Sequence, residues 1–386
     1  MPSTNQSAAR PGSPLSASLR RGAALIALAA LCACSPQVNT PQLDTSAVDA
    51  EARIQHEMVL RDSVAKLDRL YRVAWNIRAK NADLCYDRQA LSFGVNFLEL
   101  DDYKAERRDV VKSVLGVHWR PTVFQLAPGG PAETAGMRRG DVVVAVDNEL
   151  VPHKKKIREA FNAARKKAAP VLVDVERDGE LLEFTLAPAK LCGYPVSLKA
   201  TNELNAFADG DNIFICQGML KFVKSDDELA AIMGHEMAHN TQKHIRDKTV
   251  NAVIGKVLID LPTLLFLGVD THMGERMGAN MFSPQYEAEA DYVGLYYTAR
   301  AGYDIHNVAD VWRRMSVEYP GAITLVTTHP SNSQRFVGLT ADAAEIDKKR
   351  TEGLPLVPEL KDAPKKADTP AEVAPEAESI PETEAR

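Results

Sequence analysis

The sequence predicts an α+β chain: a mainly helical part with a small sheet, interrupted by a β-rich segment. Three observations predict it. Apolar residues recur every three or four positions from about Ser46 to Lys80, and again at Leu229, Ile232, Met233 and Met237, the spacing of one helix face. Between about Phe93 and Pro188 the text changes to short β-branched runs separated by Gly-, Pro- and Asn-containing turns. Both helical stretches lie outside that interval, so the β-rich segment is read as an insertion.

The composition is ordinary for globular protein. Of 386 residues, 45% are hydrophobic and 25% charged, with a formal net charge of −6 and a pI near 5.9. The length allows two domains plus tails. No basic excess points to nucleic acid.

Residues 1–33 read as a signal peptide: Arg10, Arg20 and Arg21 without an acid, then an apolar run from Ala23 to Ala33. That run is too short to remain as a membrane span. It ends Leu31-Cys32-Ala33-Cys34, which resembles a bacterial lipobox with Cys34 as the acylated residue, although Cys32 departs from the usual small residue. Ser35, not Asp, follows Cys34. The resemblance implies a periplasmic protein, lipid-anchored to the outer membrane; simple cleavage after a small residue, leaving a soluble periplasmic protein, is the alternative. Residues 34–45 form the linker, and residues 46–92 the first helical part, expected to pack against the helices further along.

The inserted segment, residues 93–190, contains a strand at Val123–Leu126, then Pro128-Gly129-Gly130-Pro131-Ala132 and Ala135-Gly136. Gly140-Asp141 leads into the strand Val142–Val146 and a turn at Asp147-Asn148. A basic helix, His153–Lys167, precedes strands Val171–Arg177 and Leu181–Leu186, joined at Asp178-Gly179. These pieces resemble a bacterial-protease PDZ domain, which implies binding of an extended peptide or C-terminus by strand addition. Cys85 and Cys192 flank the segment, so a disulfide across its base is the pairing expected in an oxidising compartment. Spacing alone does not fix connectivity. Cys216 reads as a buried strand residue.

Residues 191–350 carry the chemistry. Ser225 before Asp226-Asp227-Glu228 is a capping-box start for a helix expected to reach about Lys248. On it lies His235-Glu236-Met237-Ala238-His239, or His-Glu-x-x-His. Residues four apart share a helix face, so both imidazoles reach one ion, with Glu236 placed to take a proton from water. Two imidazoles suit zinc. Further on, Glu287 and Asp291 share a face while Glu289 points elsewhere. This selects Glu287 as third ligand and Asp291 as the group that holds a ligand imidazole. Residues 252–269 are an interrupted apolar run read as core or cleft wall, and residues 274–278 a Gly-rich mobile loop. His329, before Pro330, can approach the metal from outside. Residues 351–386, rich in Pro, Glu and Ala, read as a disordered tail.

From Asn202 to Arg335 these motifs, together with Asn205-Ala206-Phe207 and Asp227-Glu228-Leu229-Ala230, resemble the HtpX/BepA group of zinc metallopeptidases. The resemblance implies a mainly helical zincin-type domain with an edge-exposed sheet and one zinc ion per chain. His235, His239 and Glu287 would be the ligands and Glu236 the general base. Asn205 would lie near the substrate-pairing edge strand, His329 would cap the zinc or assist the transition state, and Arg335 would orient the site. Ser283-Pro284-Gln285 stands where many relatives carry an arginine. The expected activity is endopeptidase action on unfolded or stalled envelope proteins. A chaperone or assembly factor with structural zinc is the alternative.

Overall fold

The computed structural model describes residues 41–245, 282–318 and 333–361. The leader with Cys34, the apolar run 252–269, the Gly-rich loop 274–278, His329 and the tail beyond 361 lie outside the described residues.

Helix α1 spans Thr45–Lys80. Its first turns, to residue 55, leave Val48 and Ile54 exposed. Further along it faces two neighbours. Leu60 and Val64 pack with Leu98, Leu100, Val111 and Phe124 of the β-rich segment. Leu70, Val73, Ala74 and Ile77 join the helical core. The helix thus packs on the helical core, as expected, and on the inserted segment besides. One apolar stripe on a helix of this length reaches two separate cores.

The chain then runs through β1 (Gln89–Ser92), β2 (Val95–Leu98), α2 (Ala105–Leu115), β3 (Thr122–Leu126), α3 (Pro131–Thr134), β4 (Val142–Val146) and β5 (Glu149–Leu150). Next come α4 (Lys154–Lys167), β6 (Val171–Arg177), β7 (Glu180–Leu186) and β8 (Ala189–Cys192). The main sheet has the order β2-β3-β4-β6-β7, with β5 paired to β4. Val171, Val173 and Val175 alternate into its core. Phe161 of α4 closes that core, its ring centroid 4.6 Å from Phe93 and 5.7 Å from Phe97. Asp147 and Asn148 take φ of 50° and 64°, the two-residue turn suited to a hairpin.

The insertion is clamped at its base. Strands β1 and β8 pair antiparallel, with Gln89 opposite Cys192. Cys85 and Cys192 are disulfide-bonded, their Cα atoms 5.4 Å apart. Trp75 of α1 packs with Ala127 and Leu191. A Cβ at Gly94 or Gly130 would lie 3.2 or 3.1 Å from the Trp75 ring, so glycine at both lets the ring seat against backbone.

Beyond β8 come β9 (Val196–Lys199), β10 (Ala206–Ala208), β11 (Ile213–Cys216), α5 (Gln217–Phe222) and α6 (Asp226–Thr241). Helices α7 (Pro284–Arg300), α8 (Ala309–Glu318) and α9 (Ser333–Thr351) follow. Strand β11 pairs antiparallel with β10 and parallel with β9, which leaves β10 at one edge of this sheet.

Helix α6 is anchored at its start: Ser225 Oγ accepts from Glu228 N at 3.2 Å. Glu228 reaches back to Lys224 N at 2.7 Å, one residue beyond the expected capping box, and is gripped by Arg314. The helix is buried on all sides from Glu228 to Asn240, not along one stripe, because α7 and the small sheet cover it from different directions. It ends at Thr241, well short of Lys248, and Lys243 then takes φ of 62°. Residues 351–361 also differ from expectation. Leu356 and Leu360 pack on the helical core and Glu359 N donates to Tyr292 Oη at 3.1 Å, so this stretch is held in place.

Candidate metal centre

Helices α6 and α7 cross where neither has a side chain. A Cβ on Gly234 would lie 2.5 Å from Gly294 O, and one on Gly294 would lie 2.6 Å from His235 N. This contact sets the two backbones close enough for short side chains to meet. His235 and His239 project from α6 toward Glu287 on α7, all three buried.

Their donor atoms are tightly grouped. His235 Nε2 lies 3.1 Å from His239 Nε2 and 3.6 Å from Glu287 Oε2, and His239 Nε2 lies 3.5 Å from Glu287 Oε1. Tetrahedral zinc with bonds of about 2.0–2.1 Å separates its ligand atoms by about 3.3–3.4 Å. The spacing and the two-imidazole, one-carboxylate donor set therefore fit such an ion.

Each imidazole is held from behind. His235 Nδ1 lies 2.9 Å from Asp291 Oδ1, which directs Nε2 to the ion position. Arg335 grips Asp291 with Nε at 2.7 Å and Nη2 at 2.6 Å, and its Nη1 lies 3.2 Å from Glu287. Burial opposes both charges. Even so, Arg335 and His235 hold the Asp291 carboxyl below its ordinary pKa, and Asp291 with Glu287 holds Arg335 above its own. The guanidinium lies 5.0 Å from the Trp312 ring centroid.

The support of His239 involves residues that the sequence reading missed. His239 Nδ1 lies 3.0 Å from His244 Nδ1, and His244 Nε2 lies 3.4 Å from Glu289 Oε2. With Nε2 of His239 facing the ion position, its Nδ1 is left to meet His244, and the far nitrogen of His244 faces the Glu289 carboxylate. His244 holds the Glu289 carboxyl below its ordinary pKa. Phe282 stacks on the His239 ring at 4.0 Å, and Tyr286 lies 4.6 Å from His244. Glu289 does point away from the three-donor cluster, as its helix position dictates, but toward a partner. The turn at Lys243 folds His244 back; its sequence signal was a third histidine five residues past His239.

Glu236, the next residue after His235 on α6, is buried. Asn205 is half-buried, and its carbonyl accepts from Cys216 N at 3.0 Å where β10 and β11 begin to pair. Asn240 ties α6 to the turn before β11, donating to Asn212 O at 3.1 Å and accepting from Gly210 N at 2.8 Å. Cys34 and His329 lie outside the described residues.

In fold and site the chain is similar to a metallopeptidase domain joined to a PDZ domain. Residues 180–343 match Peptidase family M48, and residues 122–177 match a PDZ domain. Among relatives, the chain is 32% identical over 139 residues to mitochondrial metalloendopeptidase OMA1 of Schizosaccharomyces pombe, a match covering 34% of this chain and 41% of that protein. It is 29% identical over 150 residues to the putative beta-barrel assembly-enhancing protease of Vibrio cholerae, covering 34% of this chain and 31% of the relative. The beta-barrel assembly-enhancing protease of Escherichia coli K12 is 29% identical over 117 residues, covering 27% and 24% respectively. The chain thus spans less than half the length of these relatives. A solved HtrA3 PDZ domain bound to a phage-derived ligand aligns with 28% of this chain and 92% of its own, at 20% identity and a TM-score of 0.21.

Proposed function

We propose that the protein is a zinc-dependent endopeptidase of the bacterial cell envelope, acting on unfolded or stalled polypeptides. The observation that carries the reading is the triangle of His235, His239 and Glu287 donor atoms, with buried Glu236 next to His235 in the chain. Zinc bound there supplies Lewis acidity, activating water and polarising the scissile carbonyl.

The chain's own residues do the remainder. Strand β10, at a sheet edge, receives the substrate as an added extended strand, with Asn205 at its start. Glu236 accepts a proton from the attacking water and delivers it to the leaving amine. Asp291 and Arg335 keep His235 oriented, and His244 does the same for His239. His329 assists at the oxyanion or caps the site at rest. The PDZ domain binds an extended peptide or C-terminus, which supports recruitment of clients. Residues 1–33 act as signal, and acylated Cys34 anchors the protein to the periplasmic face of the outer membrane. No helix among the described residues is long and apolar enough to cross a membrane.

The test compares casein cleavage by the matured, zinc-loaded chain with that of Glu236→Gln. Loss of a positioned general base lowers the rate by about 10²–10⁴-fold. Equal, non-zero rates would remove Glu236 from the chemistry.

A further inference from the structure

A pocket of about 160 Å³ opens between α7 and α9, directly beside the three-donor cluster. Glu287, Asp291 and Tyr292 line it from α7, and Arg335, Leu339 and Asp342 from α9. It has room for several waters or one extended side chain. The charges in it are unequally matched. Glu287 faces the ion position. Asp291 is paired with Arg335. The neighbouring Glu345 accepts from Tyr292 and Tyr296 and lies 3.4 Å from Lys349 Nζ. Asp342, half-buried on the pocket wall, has neither a hydrogen-bond partner nor an ion-pair partner among the described residues.

We infer that this pocket is a specificity site for a basic side chain, lysine or arginine, of the substrate residue next to the scissile bond, with Asp342 as the residue that selects it. The inference rests on the endopeptidase reading for its substrate. Its physical basis is separate. A carboxylate in a partly desolvated pocket among other carboxylates lacks a counter-charge, and a bound cation supplies one. Burial, then Asp291 and Glu345, push the Asp342 carboxyl up to about 7, which marks the same deficit. The pocket shares Glu287 with the metal centre, so a side chain lodged in it belongs to a residue at the reacting carbonyl. Leu339 and the Tyr292 ring give the apolar wall along which the methylenes of a long basic side chain lie.

The test uses equilibrium binding, so it does not depend on turnover. The zinc-loaded full chain carrying Glu236→Gln is titrated with matched peptides that differ at single positions, bearing Lys, Arg, norleucine or Glu. At one position, Lys and Arg peptides should bind about tenfold tighter than norleucine, and Glu weaker still. Adding Asp342→Asn should erase that preference, while Asp342→Glu should retain it. Equal affinities across the set, a preference for Glu, or a Lys preference that survives Asp342→Asn would each overturn the inference. Cleavage of the same peptides by the chain with Glu236 intact is measured in parallel. A Lys preference in binding without any cleavage would sink the endopeptidase reading and leave standing only that Asp342 selects a basic side chain of a bound peptide.

Discussion

The two imidazoles at the candidate metal centre are held in different ways. Behind His235 lies a charged pair, Asp291 and Arg335, with side chains 4% and 7% exposed. Behind His239 lies a second imidazole, His244, whose own partner Glu289 is 44% exposed. One support is an ion pair locked in the core. The other is an imidazole-to-imidazole contact that leads on to a partly exposed carboxylate. The difference teaches that one ligand set can be oriented both by a rigid internal strut and by an arm in contact with solvent.

Breaking the strut should have the larger effect. Asp291→Ala leaves Arg335 buried without its main counter-charge, and truncating one member of a buried pair costs about 3–5 kcal/mol. Urea unfolding should show that loss, and zinc affinity measured against a competing chelator should fall by about 10–100-fold. Unfolding unchanged to within 1 kcal/mol would show that Arg335 leans on Glu287 instead.

Removing the arm should act on the ion more than on the fold. His244→Ala is expected to weaken zinc binding by about tenfold, the low end for a group behind a ligand. Zinc affinity equal to that of the unaltered chain would mean that His244 only fills space beside Phe282 and Tyr286.

The smallest effect concerns Asp342, on the Asp291 side. Its folded pKa of about 7 exceeds the ordinary 3.8. The folded chain therefore binds the extra proton, and stability falls as pH rises from about 4 to 7, with the full cost present above 7. Screening at this half-buried position keeps the cost near 1 kcal/mol. Asp342→Asn should thus raise the thermal midpoint by about 2–4 °C at pH 8 and leave it unmoved near pH 4. An equal shift at both pH values would exclude ionisation as the cause.

Much of the site was legible because its residues are close in sequence or share one helix. His235 and His239 stand four apart, and Glu287 and Asp291 repeat that spacing, so each pair is joined by helix geometry before any packing is known. Strands β3, β4, β6 and β7 of the inserted segment were legible for a similar reason, since alternating valines and Asp-Asn or Asp-Gly turns are local signals, whereas β2 and β5 were not read. What escaped was non-local. The role of His244 depends on a positive φ at Lys243, which no apolar period announces. The Asp342 pocket exists only where α7 and α9 lie side by side. The glycines that bring α6 and α7 together, Gly234 and Gly294, are sixty residues apart and were not paired in advance. Burial of α6 on every face likewise belongs to its surroundings, not to its own pattern.

The bridged base of the insertion makes the β-rich segment a detour in the polypeptide. The path departs at Cys85 and returns at Cys192, at Cα positions 5.4 Å apart, so a chain that skipped the excursion would span the gap with a residue or two. The shortened chain would keep its route through the helices that carry the three-donor cluster and would uncover the side of α1 where Val64 and Trp75 now sit. Those two side chains, more than the chain crossing itself, are what make the excursion part of the whole.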